Sequence, residues 1–128
     1  MADFGFVPQL TASGTIAPNR FVTVSGPYQG AQVSAITQIA VGVTDQSTRA
    51  FDNTADHAIS GDEISLQPSR LVQVYSAAAI TAGVAVAPSA NGRCQQAVAT
   101  QFPFGIAVTS AAAGDELIWV YQTNATVF

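Results

Sequence analysis

The chain repeats itself, and a repeat restricts the fold more than any local propensity does, because each copy must pack against its twin. Phe21-Val22-Thr23-Val24 returns as Val84-Ala85-Val86-Ala87, and Val41-Gly42-Val43-Thr44 as Ile106-Ala107-Val108-Thr109. Gly61-Asp62-Glu63-Ile64 returns as Gly114-Asp115-Glu116-Leu117. Thr15-Ile16-Ala17 opens the first copy and Ile80-Thr81-Ala82-Gly83 the second. The spacing between copies is shorter at Gly61 and Gly114 than at Thr44 and Thr109, so the first copy carries an insertion, residues 46–60. Each copy reads as strand, turn, strand, turn, strand, tight link, strand. A unit of that size cannot bury enough apolar surface alone. The two, residues 15–67 and 76–122, are therefore expected to close around one shared core with a pseudo-twofold axis. They form a single domain, 15–128, preceded by an N-terminal arm, 1–14.

The elements are strands. Val, Thr, Ser and Gly are common while Leu, Glu, Lys and Arg are scarce, which favours the pleated sheet over the helix. Many short runs separated by Gly, Pro, Asn and Ser turns predict an all-β fold, a small sandwich or barrel built from two duplicated motifs. The alanine runs at residues 77–79 and 111–113 are too short for stable helices. In the Gly-Asp-Glu step, Gly supplies a positive φ, Asp bonds back to the local backbone and Glu starts the returning strand. The repeat alignment puts Val43 and Val108 in the core, with Ile64 and Leu117. Trp119, between Ile118 and Val120, reads as part of a buried strand.

The chain has 128 residues, of which 9% are charged, against roughly 25% in ordinary soluble domains. There is no lysine; the cations are Arg20, Arg49, Arg70 and Arg93, and the net charge is −4. Phosphate neutralisation needs the opposite balance, so nucleic acid is not an expected partner. No apolar run is long enough to span a membrane. The start has no cationic run before an apolar stretch, so no secretory signal is expected. With so few charges to resist association, much of the surface is expected to be covered by a partner.

Catalytic chemistry finds little support. Cys94 is the sole cysteine, which rules out an intrachain disulfide and reads as a small packing side chain. His57 is the sole histidine. With Asp52 and Asp56 it lacks the ligand alternation, mid-loop Gly and closing Glu of a calcium loop, and no Gly-x-Ser-x-Gly elbow supplies a nucleophile for it. Asp62-Glu63 and Asp115-Glu116 are neighbours on strands, so each pair splits between two faces and cannot converge on one substrate atom. No Gly-rich phosphate loop is present. Neither a metal nor an organic cofactor is expected. A small hydrolase using His57 is one rival reading. A glycan-binding β-sandwich module, with Trp119, Tyr121, Tyr75 and Tyr28 stacking on sugar rings, is another.

The arm carries Phe4, Phe6, Val7 and Leu10, which the repeat leaves without strand partners. They are the candidate interface residues, since an apolar tail either tucks into its own core or docks on a neighbour.

From Ala79-Ile80-Thr81-Ala82-Gly83-Val84 through Gly105-Ile106-Ala107-Val108-Thr109 to Gly114-Asp115-Glu116-Leu117, the second copy resembles the small decoration (cement) proteins of tailed-bacteriophage heads. The first copy matches more weakly, mainly at residues 41–44 and 61–64. The resemblance implies a non-enzymatic virion protein on the outer surface of the capsid. It implies a homotrimer that binds neighbouring major capsid proteins together at threefold or quasi-threefold positions. The insertion at residues 46–60 and the apolar arm depart from the family pattern.

Overall fold

The structure is a computed structural model that describes residues 10–50, 56–98 and 101–123. Among the described residues nine strands follow one another: β1 (Thr11–Ala12), β2 (Phe21–Gly26), β3 (Gln29–Gln32), β4 (Gly42–Val43), β5 (Leu71–Tyr75), β6 (Ala85–Pro88), β7 (Cys94–Gln96), β8 (Gly105–Ala107) and β9 (Leu117–Gln122). A single 3-10 turn, Ala90–Gly92, joins β6 to β7. They form a four-stranded sheet in the order β1-β3-β2-β4 and a five-stranded sheet in the order β5-β9-β8-β6-β7. The fold is all-β, as the residue pattern requires, and the sheets divide between the two copies.

The duplication is visible bond by bond. In the first sheet Val22 pairs with Gln32 and Thr23 with Ala31; in the second Val86 pairs with Gln96 and Ala87 with Gln95. Val22 faces Gly42 across β4, and Val86 faces Gly105 across β8. A parallel contact joins Ala12 to Gly30, and its counterpart joins Ser76 to Cys94. Ile16 bridges to Ala58 and Ile80 to Ala111. Bridges from Thr11 to Glu63 and from Thr44 to Leu66 bring residues 63–66 beside β4 and back to β1, as β9 lies between β8 and β5. The pairing thus returns to its starting strand in each copy and leaves two small rolled sheets.

These ladders correct the alignment drawn from tetrapeptides. Asp45 donates its N–H to the Ser65 carbonyl at 2.9 Å, and Val108 to Trp119 at 2.8 Å. Val108 is therefore the counterpart of Asp45, and Ile106 that of Val43. At the link, Gly61 donates to Ala12 and Asp115 to Ser76; both carry positive φ, +96° and +61°. Gly61 thus matches Asp115, not Gly114, and Ile64 matches Ile118, not Leu117. Ile64 and Ile118 are buried, whereas Val108 and Leu117 are exposed. The expected core positions Val108 and Leu117 are wrong.

Burial is also less symmetric than the expected shared core. Ala12, Ile16, Val22, Ala58 and Ile64 form a small core inside the first copy. On the other side of the same strands Phe21, Val33 and Val43 join the larger core of the second copy, with Val72, Val74, Val86, Phe104, Ile118 and Val120. Neighbouring strand residues point to opposite faces, so Phe21 and Val22 serve different cores. The Phe21 and Phe104 rings meet edge-on with centroids 4.8 Å apart. The first copy thus lays its outer face on the second. The counterparts of Phe21 and Val43 in the second copy, Ala85 and Ile106, face outward.

Candidate functional site

The residues singled out by their chemistry are mostly committed to the fold. Asp62 accepts the Ile59 N–H at 2.9 Å, and Glu116 accepts those of Ala112 and Ala113 at 3.1 and 3.0 Å. Both carboxylates hold turns. Asp115 pairs with Arg93 at 2.9 Å. His57 Nδ1 lies 3.4 Å from Asp56, Asp52 falls outside the described residues, and among those described no His/Cys/Asp/Glu group has the makings of a metal site. Cys94 is fully buried, and burial pushes its thiol up to about 12, so it packs rather than reacts. Among the described residues no helix is long and apolar enough to cross a membrane.

Of the arm residues, Phe4, Phe6 and Val7 lie outside the described residues. Leu10 is half-buried against the first core, and its carbonyl accepts the Ile64 N–H at 2.9 Å. Its side chain is engaged within its own chain.

A surface feature emerges instead on the second sheet. Along β5 and β9 the side chains alternate. Val72, Val74, Ile118 and Val120 point inward, while Leu71, Gln73, Tyr75, Leu117, Trp119 and Tyr121 point outward. Register stacks the outward set into rows: Leu71 opposite Tyr121, Gln73 opposite Trp119, Tyr75 opposite Leu117. The first row continues to Ile106 on β8 and Ala85 on β6. Val108 extends the second row through its bond to Trp119. Leu71, Ile106, Val108, Leu117, Trp119 and Tyr121 are each 39–50% exposed, and none is charged. Together they expose roughly 500 Å² of mainly apolar surface, at the upper end of what a monomer normally carries.

Charge is kept to the margins of this face. Arg93 and Asp115 pair beside Leu117, and Arg20 lies over the Tyr75 ring, 5.0 Å from its centroid. Burial, then the neighbouring Arg93, lowers the Arg20 pKa. A cleft of about 250 Å³ opens where Trp119 meets the first copy, lined by Asn19, Asp45, Gln67, Leu71 and Gln73 among others. Much of its polar lining is engaged. Asn19 Nδ2 donates to the Gln73 carbonyl at 3.1 Å, and Gln67 bonds Thr44 and both backbone groups of Gln73.

Of the rings named for a glycan site, Trp119, Tyr121 and Tyr75 share this face, while Tyr28 is exposed on the first copy. Trp119 points outward, contrary to the buried strand expected for it, because Leu117 to Tyr121 is apolar at every position and period two cannot tell inside from outside. A strand apolar on both sides is itself the signal of a strand covered on both sides.

The family model described as phage cement protein matches residues 5–122. A search among curated proteins gives no match. Among solved structures, the chain is similar to the head fiber gp8.5 N base of bacteriophage phi29, with a TM-score of 0.66 and 18% identity over 90% of this chain and 91% of that one. At that identity the likeness concerns the fold.

Proposed function

The chain belongs to the phage cement protein family, and from that premise we propose that it decorates and stabilises a capsid by binding across neighbouring major capsid proteins on the outer surface of the head. Membership itself makes it a structural protein of the virion. The match over residues 5–122 carries the proposal. The uncharged apolar face, the low charge content and the engagement of the candidate catalytic groups in turns and packing support it. An acidic chain without lysine suits an outer surface away from packaged DNA.

In the proposed division of labour an N-terminal arm leads a single domain, which Leu10, Thr11 and Ala12 join through β1 and the first core. Phe4, Phe6 and Val7 dock on the capsid, and burial of one Phe contributes about 1.5–3 kcal/mol. Copies of the chain associate, three being the number the family resemblance favours. Several weak contacts made at once by linked subunits hold far better than one. A ligand that binds only the assembled shell stabilises it by mass action. The glycan reading has less behind it, because the Asn19 and Gln67 amides beside Trp119 are taken up by backbone groups of Gln73 and Thr44.

Titration of the protein onto undecorated heads tests the proposal, with copy number read by quantitative mass spectrometry of purified particles. Saturable binding at a fixed number per capsid, with a higher melting temperature of the heads, is the expected result. No binding, or binding without any thermal gain, would refute it.

A further inference from the structure

The duplicated fold contains its own control for the outer face of the second sheet. Three of its exposed positions, Leu117, Trp119 and Val108, have polar counterparts in the first copy at the same place in the hydrogen-bond ladder, whereas Ile106 matches Val43, which the second copy covers. Opposite Tyr75 stands Leu117, and opposite Thr11, the counterpart of Tyr75, stands Glu63. Trp119 accepts the bond from Val108 that Ser65 accepts from Asp45. The backbone that holds Leu117, Trp119 and Val108 in one copy therefore holds Glu63, Ser65 and Asp45 in the other. This fold accepts polar residues at those sites, so folding does not require apolar ones in the second copy. Something that covers them does.

We infer that the outer face of β5, β8 and β9 is where copies of this chain meet. The inference rests on the self-association proposed above and gives it a surface. Charge identifies the occupant. The chain carries a net −4, so its copies repel over most orientations, and a face free of charge is where like can meet like without penalty. Capsid attachment is assigned above to Phe4, Phe6 and Val7, which leaves a second copy as the occupant of this face. Area agrees: roughly 500 Å² from these six residues approaches the ~800 Å² per partner of a stable interface once the surrounding rim is added.

The test uses the full chain without capsids, so failure to bind heads leaves it intact. Trp119 is the only tryptophan, and its emission reports on cover at the face. A double variant, Val108→Asp with Leu117→Glu, installs the residues the first copy has at the same positions and keeps Trp119. For the wild type, light scattering should give a multiple of 13.2 kDa, with blue-shifted Trp119 emission that moves to the red on dilution. The double variant should be a monomer with red emission at every concentration, unchanged far-ultraviolet circular dichroism and a cooperative melt. A double variant that keeps the wild-type mass overturns the inference. So does a wild type that is monomeric and red-emitting throughout, a result that needs no variant to fold. Loss of head binding by the variant, with the wild type monomeric, would assign the face to the capsid instead.

Discussion

Gly105 on β8 has no room for a side chain, because a Cβ there would run into the Tyr121 carbonyl oxygen of β9 and lie 3.0 Å from Gln122 Cα. Those neighbours are backbone and cannot step aside. Its counterpart Gly42 would meet the Leu66 Cδ1 methyl at 2.9 Å, the free end of a flexible side chain. Gly105→Ala is expected to cost about 3 kcal/mol, a fall in Tm of roughly 10 °C. At Gly42→Ala the strain opposes the stabilisation of about 0.4–1 kcal/mol that comes from restricting the unfolded chain, leaving little net change. Differential scanning calorimetry of the two variants checks the contrast; equal losses would mean that β9 yields at Gly105. Cys94 supplies a pH signature. Its pKa rises from 9.0 to about 12 on folding, so above pH 9 the unfolded chain gives up a proton that the folded one retains. Its contribution to stability is complete below pH 9 and falls away between pH 9 and 12. Cys94→Ala should flatten that limb of the pH profile in urea titrations, and the native thiol should resist alkylation at pH 8.

At the scale of elements, the open edge of β5 is guarded by two side chains from the first copy. Gln67 takes the Gln73 N–H on its carbonyl at 2.9 Å and gives its amide to the Gln73 and Thr44 carbonyls at 2.8 and 3.0 Å. Asn19 covers the next step, donating to Gln73 at 3.1 Å and accepting from Tyr75 at 3.3 Å through its backbone. An exposed edge is a template for aggregation, and these amides occupy it without charge. Gln67→Ala should cost about 2 kcal/mol and speed hydrogen exchange at the Gln73 amide. Gln67→Glu keeps the acceptor but sets a carboxylate against two carbonyl oxygens. The folded state then holds that proton more tightly than the unfolded one, and stability should drop as pH rises above ~4.3. An unchanged Gln73 amide in Gln67→Ala would show that Asn19 suffices. The same scale explains what was readable in advance. The duplication was legible because strand and turn residues recur in order, but its register was not. Matching Gly61-Asp62-Glu63 to Gly114-Asp115-Glu116 is one position out, and a one-residue slip exchanges the faces of a strand; hence Leu117 was expected in the core position that Ile118 occupies. Matching Val43 to Val108 is two positions out, which keeps the face. It failed for another reason: Val43 is covered only because the first copy lies on the second, an asymmetry no repeat can announce. The outer face of the second sheet stayed hidden for both reasons, since its contrast with Glu63, Ser65 and Asp45 exists only once the ladder is known.

For the whole molecule, the proposed attachment must work almost without ions. Charged residues make up 9% of the chain, and the pair between Arg93 and Asp115 is spent within it. What remains for holding a capsid is the apolar arm, neutral hydrogen bonds from Gln, Ser, Thr and Asn, and backbone groups at strand ends. Such contacts respond to salt differently from ion pairs. Exposed charges are screened over a Debye length of about 8 Å at physiological ionic strength and about 3 Å at 1 M, so an interface built on them weakens steeply. Apolar burial is indifferent to sodium chloride over the same range. Binding of this protein to undecorated heads should therefore change less than about threefold between low and molar salt, where an interface of several ion pairs would lose orders of magnitude. Deleting residues 1–7 should leave the melt of the free protein within a few degrees, because it spares the pairing that Leu10, Thr11 and Ala12 make in the first copy. The same deletion should weaken binding by about tenfold or more for each Phe whose burial is lost, by the 1.5–3 kcal/mol that each contributes. Titration at several salt concentrations, with full-length and truncated protein side by side, separates the two claims. A steep salt slope in both proteins would place attachment on charges outside the arm, and a flat slope with no effect of truncation would move it to the folded domain.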